Sequence, residues 1–307
     1  MSPVAFFGPS GTFTEEALLS QPDLAAQDRV PLTSIPDVLA AVGRDEFALG
    51  VVPIENSIEG SVSVTLDALA FESELLIQRE VDLPISLGLF VKPGTALKDV
   101  RTVLSYPHAA AQCRTWLKRK LPAATFVAAN STADAAATVA RSKRGDQAAI
   151  GNTLAAKLYG LKTLARDIED HPENETRFVV VGRGIPAASG HDRTSIVCFQ
   201  RADRPGSLLA MLQEFSARSI NLTKLESRPT KKNLGDYCFF IDFEGHLADE
   251  LVADCLRTLA AKVAHVKYLG SYPVAGLDAP ARRTAATKAW RDADTWLDGL
   301  RAQVRDA

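Results

Sequence analysis

The chain has 307 residues, 46% of them hydrophobic and 23% charged, an ordinary globular balance with room for two or three domains of roughly 100–150 residues each. Thirty-five Lys and Arg against 37 Asp and Glu leave a formal net charge of −2, so no global basic field marks a partner of nucleic acid or of an anionic membrane. The opening MSPVAFFGPSG lacks the features of a secretion signal, and no apolar run reaches the ~18 residues of a membrane span. Cys113, Cys198, Cys238 and Cys255 lack CxxC spacing, so a cytoplasmic protein with reduced, buried thiols is expected.

Over residues 1–182, short β-branched or aromatic runs alternate with helical patterns. Strands are expected at 4–7, 48–52, 87–91, 102–104, 148–150 and 178–181, and helices at 14–19, 36–42, 109–121, 133–141 and 153–159. That alternation argues for parallel βα units with helices on both faces of the sheet. Ser34 with Asp37, and Ser131 with Asp134, have the spacing of a capping box. Pro53 is expected to end the strand before it, because it cannot donate to a central ladder. Residues 183–193 read as a linker, small and rich in Pro and Gly. Beyond it, strands at 194–200, 222–227, 237–243 and 265–269 and helices at 207–218 and 248–263 follow a ferredoxin-like β-α-β-β-α-β order over 194–272, with a turn at 231–235. In the tail, 273–307, Trp290, Ala293, Leu297, Leu300 and Val304 recur as one helix face, which calls for packing on its own domain or on another subunit.

Five polar clusters stand where strands of the first part meet helices or loops. VVPIENSIEGSV at 51–62 displays Glu55 and Asn56 at a strand end, either as a capped polar turn or as a ligand wall of the kind open α/β folds keep there. GPSGTFT at 8–14 offers free backbone N–H groups at a helix start, for a small carboxylate or simply for a turn; it is neither a GxGxxG nor a P-loop. In the stretch 105–113, Ser105 occupies a cap position and Gln112 lies about two turns along. His108 has no evident carboxylate partner and reads first as a helix-start surface residue. Asn130, Ser131 and Thr132 read most simply as a cap. Thr176 and Arg177 enter the last strand from a polar loop, and arginine's planar fork suits a carboxylate, with an ion pair to Glu173 or Glu175 as the competing use. Several such clusters in one α/β unit favour a shared cleft. In the second part, residues 204–208 and 220–229 form either an ordinary loop and strand or an amino-acid site between subunits.

In order along the chain, GPSGTFT, VPIENSIEGSV, AAAQC at 109–113, NSTADAA at 130–136, AIGN at 149–152, TRF at 176–178, GSL at 206–208 and ESRP at 226–229 resemble the bacterial prephenate dehydratases that carry a C-terminal ACT regulatory domain. The resemblance covers the chain to about Pro273. It implies a two-subdomain, periplasmic-binding-protein-like α/β catalytic part followed by the ferredoxin-like ACT domain. It also implies conversion of prephenate to phenylpyruvate, water and CO2, control by L-phenylalanine, a homotetramer built as a dimer of dimers, and neither cofactor nor metal. No mutase half is expected, since the motifs begin at Gly8.

The implied roles follow the chemistry of a dianion whose ring becomes aromatic once hydroxide and CO2 leave. Thr176 resembles the family's essential threonine, which hydrogen-bonds or protonates the departing hydroxyl. Glu55 and Asn56 line the opposite wall, Gly11, Thr12 and Arg177 hold carboxylates, and Ser105, Gln112, Ser131, Thr132 and Phe178 complete the substrate shell. The effector site maps onto Arg204, Pro205, Gly206, Ser207, Leu208, Asn221, Leu222, Thr223, Glu226 and Ser227. Two departures are visible: Tyr106 where the family often has His, and Ser207 where it often has Ala. Arogenate dehydration and non-catalytic amino-acid sensing are the alternatives.

Overall fold

Val4–Phe7 is an apolar run with almost no exposed surface, as a central strand flanked on both faces must be, and it begins the first sheet as β1. The computed structural model describes residues 3–200, 204–231, 236–275 and 295–303. Among these residues the chain forms three sheets of six, five and four strands. Two units result: residues up to Leu75 with Glu80–Arg183, and Leu76–Arg79 with the residues from Gly184 onward.

The first lobe of the first unit runs β1, α1 (Phe13–Leu19), α2 (Pro22–Ala25), β2 (Arg29–Leu32), α3 (Ile35–Gly43), β3 (Leu49–Asn56), β4 (Gly60–Ser61), α4 (Ser63–Phe71) and, from Glu80 on, β5 (Leu76–Pro84). The second lobe runs β6 (Gly88–Val91), β7 (Thr102–Ser105), α5 (Pro107–Ala111), α6 (Arg114–Lys120), β8 (Thr125–Ala128), α7 (Thr132–Arg141), β9 (Gln147–Gly151), α8 (Thr153–Leu158) and β10 (Lys162–Ala165). The chain then returns to the first sheet as β11 (Glu175–Gly182), giving the orders β2-β1-β3-β11-β5 and β10-β6-β9-β7-β8. Phe6, Leu18, Val51, Phe178 and Val180 pack the first lobe, and Leu89, Val91, Val103 and Ile150 the second. An alanine face of α7 lies against Leu104 and Ala149, where small side chains permit close approach. The four cysteines are free and buried.

Three expectations need correction. The sheets are mixed rather than wholly parallel: β11 runs antiparallel to β3, and β6 antiparallel to both β9 and β10. Those strands arrive without the same-sheet crossover helix that parallel pairing needs. Pro53 does not end β3, which continues to Asn56. Pairing with β1 stops at Val51, and the β11 ladder shifts register between Arg177 and Phe178, beside Pro53, so the missing N–H falls at an irregularity. The single helix expected at 109–121 is two helices broken at Gln112 and Cys113. Asp170 marks the break: its N–H donates to the Gln112 carbonyl at 2.5 Å, and its carboxylate accepts the Thr115 N–H at 3.1 Å. Ser34 and Ser131 cap α3 and α7 as expected, each accepting the N–H three residues on.

The second unit runs β12 (Asp192–Phe199), α9 (Ser207–Ser216), β13 (Leu222–Pro229), β14 (Tyr237–Glu244), α10 (Glu250–Lys262) and β15 (His265–Pro273). Its strands lie in the order β13-β14-β12-β15 with every pair antiparallel, and both helices pack on Ile196, Met211, Phe215, Phe243 and Leu259. This is the expected ferredoxin-like arrangement. The stretch before it ends at Asp192, whose carboxylate accepts the N–H groups of Ser189 and Gly190 at 3.0 and 2.9 Å. In the tail, residues 295–301 are helical and leave Trp296, Leu297 and Leu300 exposed. Trp290, Ala293 and Val304 of the expected face, and residues 232–235 of the expected turn, lie outside the described residues.

Candidate active site

A cavity of about 710 Å³ opens between the two lobes of the first unit, well inside the roughly 300–1,000 Å³ common for small-molecule sites. Its apolar lining includes Phe7, Phe13, Ile85, Leu87 and Phe178, and its polar lining gathers where β11 meets β3 and where α5 and α7 begin. Strand alternation decides which side chains reach it. Asn174, Thr176 and Phe178 share one face and line the cavity, whereas Arg177 between them does not.

The polar cluster is built around Asn56. Its Oδ1 accepts the N–H groups of Ile58 and Glu59, each at 3.0 Å, which fixes the amide orientation. Its Nδ2 therefore faces Asn174 Oδ1 and Thr176 Oγ1, both at 2.8 Å. Because the Thr176 oxygen accepts from Asn56, the hydroxyl hydrogen remains for a ligand, and no protein acceptor for it stands among the described residues. Asn174, only 1% exposed, carries the network onward by donating to Gln112 Oε1 at 2.9 Å. Gln112 Nε2 lies 3.4 Å from Glu59 Oε1, and Glu59 Oε2 lies 2.7 Å from His108 Nδ1. Sequence reasoning missed Asn174, and it held Glu59 only as one member of the polar cluster at 51–62. The signal for Asn174 was its place two residues before Thr176, just ahead of β11.

Other anticipated site residues sit elsewhere. Arg177 does not reach the cavity; its guanidinium lies 2.7 Å from Glu55 Oε2 and 3.5 Å from Glu80 Oε2, so Glu55 is likewise on the far side of the sheet. The anticipated ion pair with Glu173 or Glu175 is replaced by these two. Ser105 does not cap α5, whose N-cap is Tyr106; it is fully buried, and its hydroxyl donates to the Ile150 carbonyl at 3.0 Å. Gly11 offers no free N–H, since Glu15 of the same turn takes it at 2.6 Å. Thr12 lines the cavity while capping α1. Ser131, Thr132, Gln112 and Phe178 line it.

Gly11 has φ of +91°, and a Cβ there would sit 3.2 Å from the Ala155 Cα. Gly11→Ala is therefore expected to destabilise the first unit by about 1–3 kcal/mol, read as a lowered Tm with the circular-dichroism spectrum retained. The lobes are also tied by Asn152, which caps α8 and donates to Glu16 Oε2 at 2.7 Å. Burial pushes the Glu16 carboxyl above its usual range, and the Asn152 hydrogen bond opposes that rise. Burial raises the Cys113 thiol strongly, which makes it a poor nucleophile.

In the second unit, Gly206 adopts φ of +85° as the N-cap of α9. The Ser207 hydroxyl turns back to the Arg204 carbonyl at 2.6 Å, so the serine found in place of alanine satisfies its own turn. Leu208 and Leu222 pack against the core, Asn221 donates to Glu244 at 2.9 Å, and Glu226 lies near Lys224 and Arg228. Pro205 and Thr223 are exposed, as is Ser227.

An α/β unit with a cavity between its lobes, polar at one wall, followed by a β-α-β-β-α-β unit, has the organisation of a small-molecule enzyme with an appended regulatory domain. Residues 4–185 match the prephenate dehydratase family and residues 194–261 the ACT domain. The chain belongs to the prephenate dehydratase family, which is a family of lyases. A prephenate dehydratase of Mycolicibacterium vanbaalenii is 45% identical over 316 residues, covering 98% of this chain and 99% of the relative. The crystal structure of an Arthrobacter aurescens prephenate dehydratase in complex with L-Phe is 40% identical with a TM-score of 0.90, covering 97% of this chain and 99% of that one. GqqA, described as a novel type of quorum quenching acylase, is 28% identical with a TM-score of 0.80, covering 89% and 98% of the two chains. A shared fold therefore does not by itself decide the chemistry, and the site must.

Proposed function

We infer that the cavity turns prephenate into phenylpyruvate with Thr176 as the group that engages the leaving hydroxyl. The observation that carries this reading is the Asn56-to-Thr176 hydrogen bond, which leaves the threonine hydrogen free inside the cavity. In the reaction the bond between the ring and its carboxylate breaks to release CO2, its electron pair enters the ring, and the C–O bond opposite breaks. The departing hydroxide takes up a proton and leaves as water. Donation from Thr176 stabilises the charge growing on that oxygen, and Asn56 holds the donor in place. The start of α7 at Ser131 and Thr132 presents backbone N–H groups toward the anionic substrate, and Gln112 adds a polar contact. Phe178 and Phe13 flank the ring. Arg177 and Glu55 act behind the sheet, as support for β3 and β11. The test is phenylpyruvate formation from prephenate by the full chain, read by ultraviolet absorbance. Comparing kcat/KM for prephenate and arogenate separates the two substrates, and absence of turnover on either would favour the sensor reading.

The second unit is read as the site of L-phenylalanine control, at Arg204–Leu208 and at Asn221–Ser227. The Arthrobacter relative in complex with L-Phe supports this. Calorimetry is expected to show L-phenylalanine binding to the full chain, and the same ligand is expected to change prephenate turnover. Binding without any change in turnover would remove the regulatory role. A homotetramer in the cytoplasm completes the proposal. No helix among the described residues is long and apolar enough to cross a membrane.

A further inference from the structure

The cavity poses a problem of charge. A dianion has to be held there, yet Arg177 is turned away and the acidic side chains on the wall are Glu59 and Asp134. Asp134 is engaged at the start of α7, where it accepts the Asn130 N–H at 3.4 Å. Among the described residues, His108 is the one lining side chain that can carry positive charge. It is half-exposed at the start of α5 and stacks on Tyr106 with ring centroids 5.3 Å apart. The carboxylate partner that the local sequence withheld is Glu59, from the other lobe, at 2.7 Å from Nδ1.

That contact sets the chemistry of the ring. An ionised carboxylate only accepts, so the hydrogen lies on Nδ1 and faces Glu59. Nε2 is left for a ligand. In the neutral ring Nε2 is then an acceptor and repels a carboxylate, whereas the imidazolium donates from both nitrogens. Gln112, at 3.4 Å from the other Glu59 oxygen, orients that carboxylate from α5's own C-cap. The charged or titratable groups facing His108 are thus Glu59 and Tyr106, with Asp134 on the same cavity wall.

We propose that His108, oriented by Glu59 across the cavity, binds a carboxylate of the substrate through Nε2 and so determines specificity for the dianion. His108 is the substrate-binding group and Glu59 its positioning residue. The assignment rests on the prephenate reading above and assigns the cation which that reading lacks. The imidazolium is the binding form, so KM for prephenate is expected to rise as the ring loses its proton.

The test is steady-state phenylpyruvate formation by the full chain over a pH series, for wild type, His108→Gln, His108→Lys and Glu59→Gln. His108→Gln is expected to raise KM about tenfold at the acid end, as loss of a charge-assisted hydrogen bond at a half-exposed site does. Its KM loses the pH dependence, and kcat is retained. His108→Lys restores a low KM and holds it as pH rises, while Glu59→Gln raises KM with His108 still present. A wild-type-like KM in His108→Gln throughout the series overturns the assignment. So does an equal rise in the Lys and Gln variants, which marks a merely structural role. A wild type inert on prephenate overturns the reaction as well, whereas an active wild type with an unaffected His108→Gln overturns His108 alone.

Discussion

Thr176→Ala lowers kcat by about 10²–10⁴-fold, the usual worth of a positioned proton donor, while prephenate still binds. The expectation follows from where the hydroxyl sits. Its oxygen is held by Asn56 at 2.8 Å, so the hydrogen is the part open to a ligand, and in the proposed reaction the bond it makes would strengthen as the leaving oxygen gains charge. An interaction made mainly in the transition state appears in kcat rather than in KM. Thr176→Ser, which keeps the hydroxyl without the methyl that limits its rotamers, retains much of the rate. Asn56→Ala lowers kcat with it, because the hydroxyl loses its fixed partner. Near-normal kcat in Thr176→Ala would remove Thr176 from the chemistry. Binding is checked separately by quenched equilibrium measurements on the inactive variant.

Arg177→Ala is expected to act on stability first, with a loss of about 3 kcal/mol, the lower end for breaking a buried ion pair, or roughly 6–12 °C in Tm. Its side chain is 12% exposed and lies between Glu55 at 2.7 Å and Glu80 at 3.5 Å, the latter with 1% of its side chain exposed. Removing the guanidinium leaves Glu80 buried without that cation, and the desolvation of a carboxylate is what makes such a loss expensive. The half-exposed Glu55 contributes less, since water can replace the lost partner. Thermal unfolding measures the effect directly. An unchanged Tm together with a large rise in KM would instead turn Arg177 back toward the substrate.

The two variants differ because of a single backbone step. Thr176 and Arg177 are neighbours in sequence, and their motif makes them look like partners in one task. In a pleated strand consecutive side chains point to opposite faces, so only one of them can line a cavity on a given face. Alternation was legible in advance; which face looked into the cavity was not. Asn56 pairs with Thr176 and Glu55 with Arg177 across positions about 120 apart, and a register shift beside Pro53 intervenes before Phe178. Pairing of that kind is non-local and has no signature in either segment.

Four of the strands missed by the residue pattern share a physical trait. β2, β5, β8 and β10 are the terminal strands of the two sheets of the first unit. β2 carries Arg29 and Pro31, and β8 is exposed along its whole length. Edge strands are kept short or interrupted by charge and proline because a long, clean apolar edge invites pairing with another chain, so the four-residue β2, β8 and β10 and the charge-bearing β5 lack the pattern that reveals central strands. The break at Gln112 was hidden for a different reason. Ala109–Leu121 has good helical composition throughout, and the interruption comes from Asp170, which reaches the segment only in the folded chain.

By itself the sequence determined the central strands, most of the first unit's helices, the ferredoxin-like order after residue 193 and the family, and it pointed to Thr176 and Asn56, which line the cavity. These depend on local propensity, on period and on ordered motifs, all of which are properties of contiguous residues. Tertiary structure alone decided that Arg177 and Glu55 stand behind the sheet, that Ser105 is buried against Ile150, and that Glu15 takes the Gly11 N–H. It also supplied Glu59 as the carboxylate beside His108. Each of these is set by which face a strand presents or by which lobe brings the partner. A side chain's direction and its distant neighbours become defined only when register, bulge and lobe packing are in place.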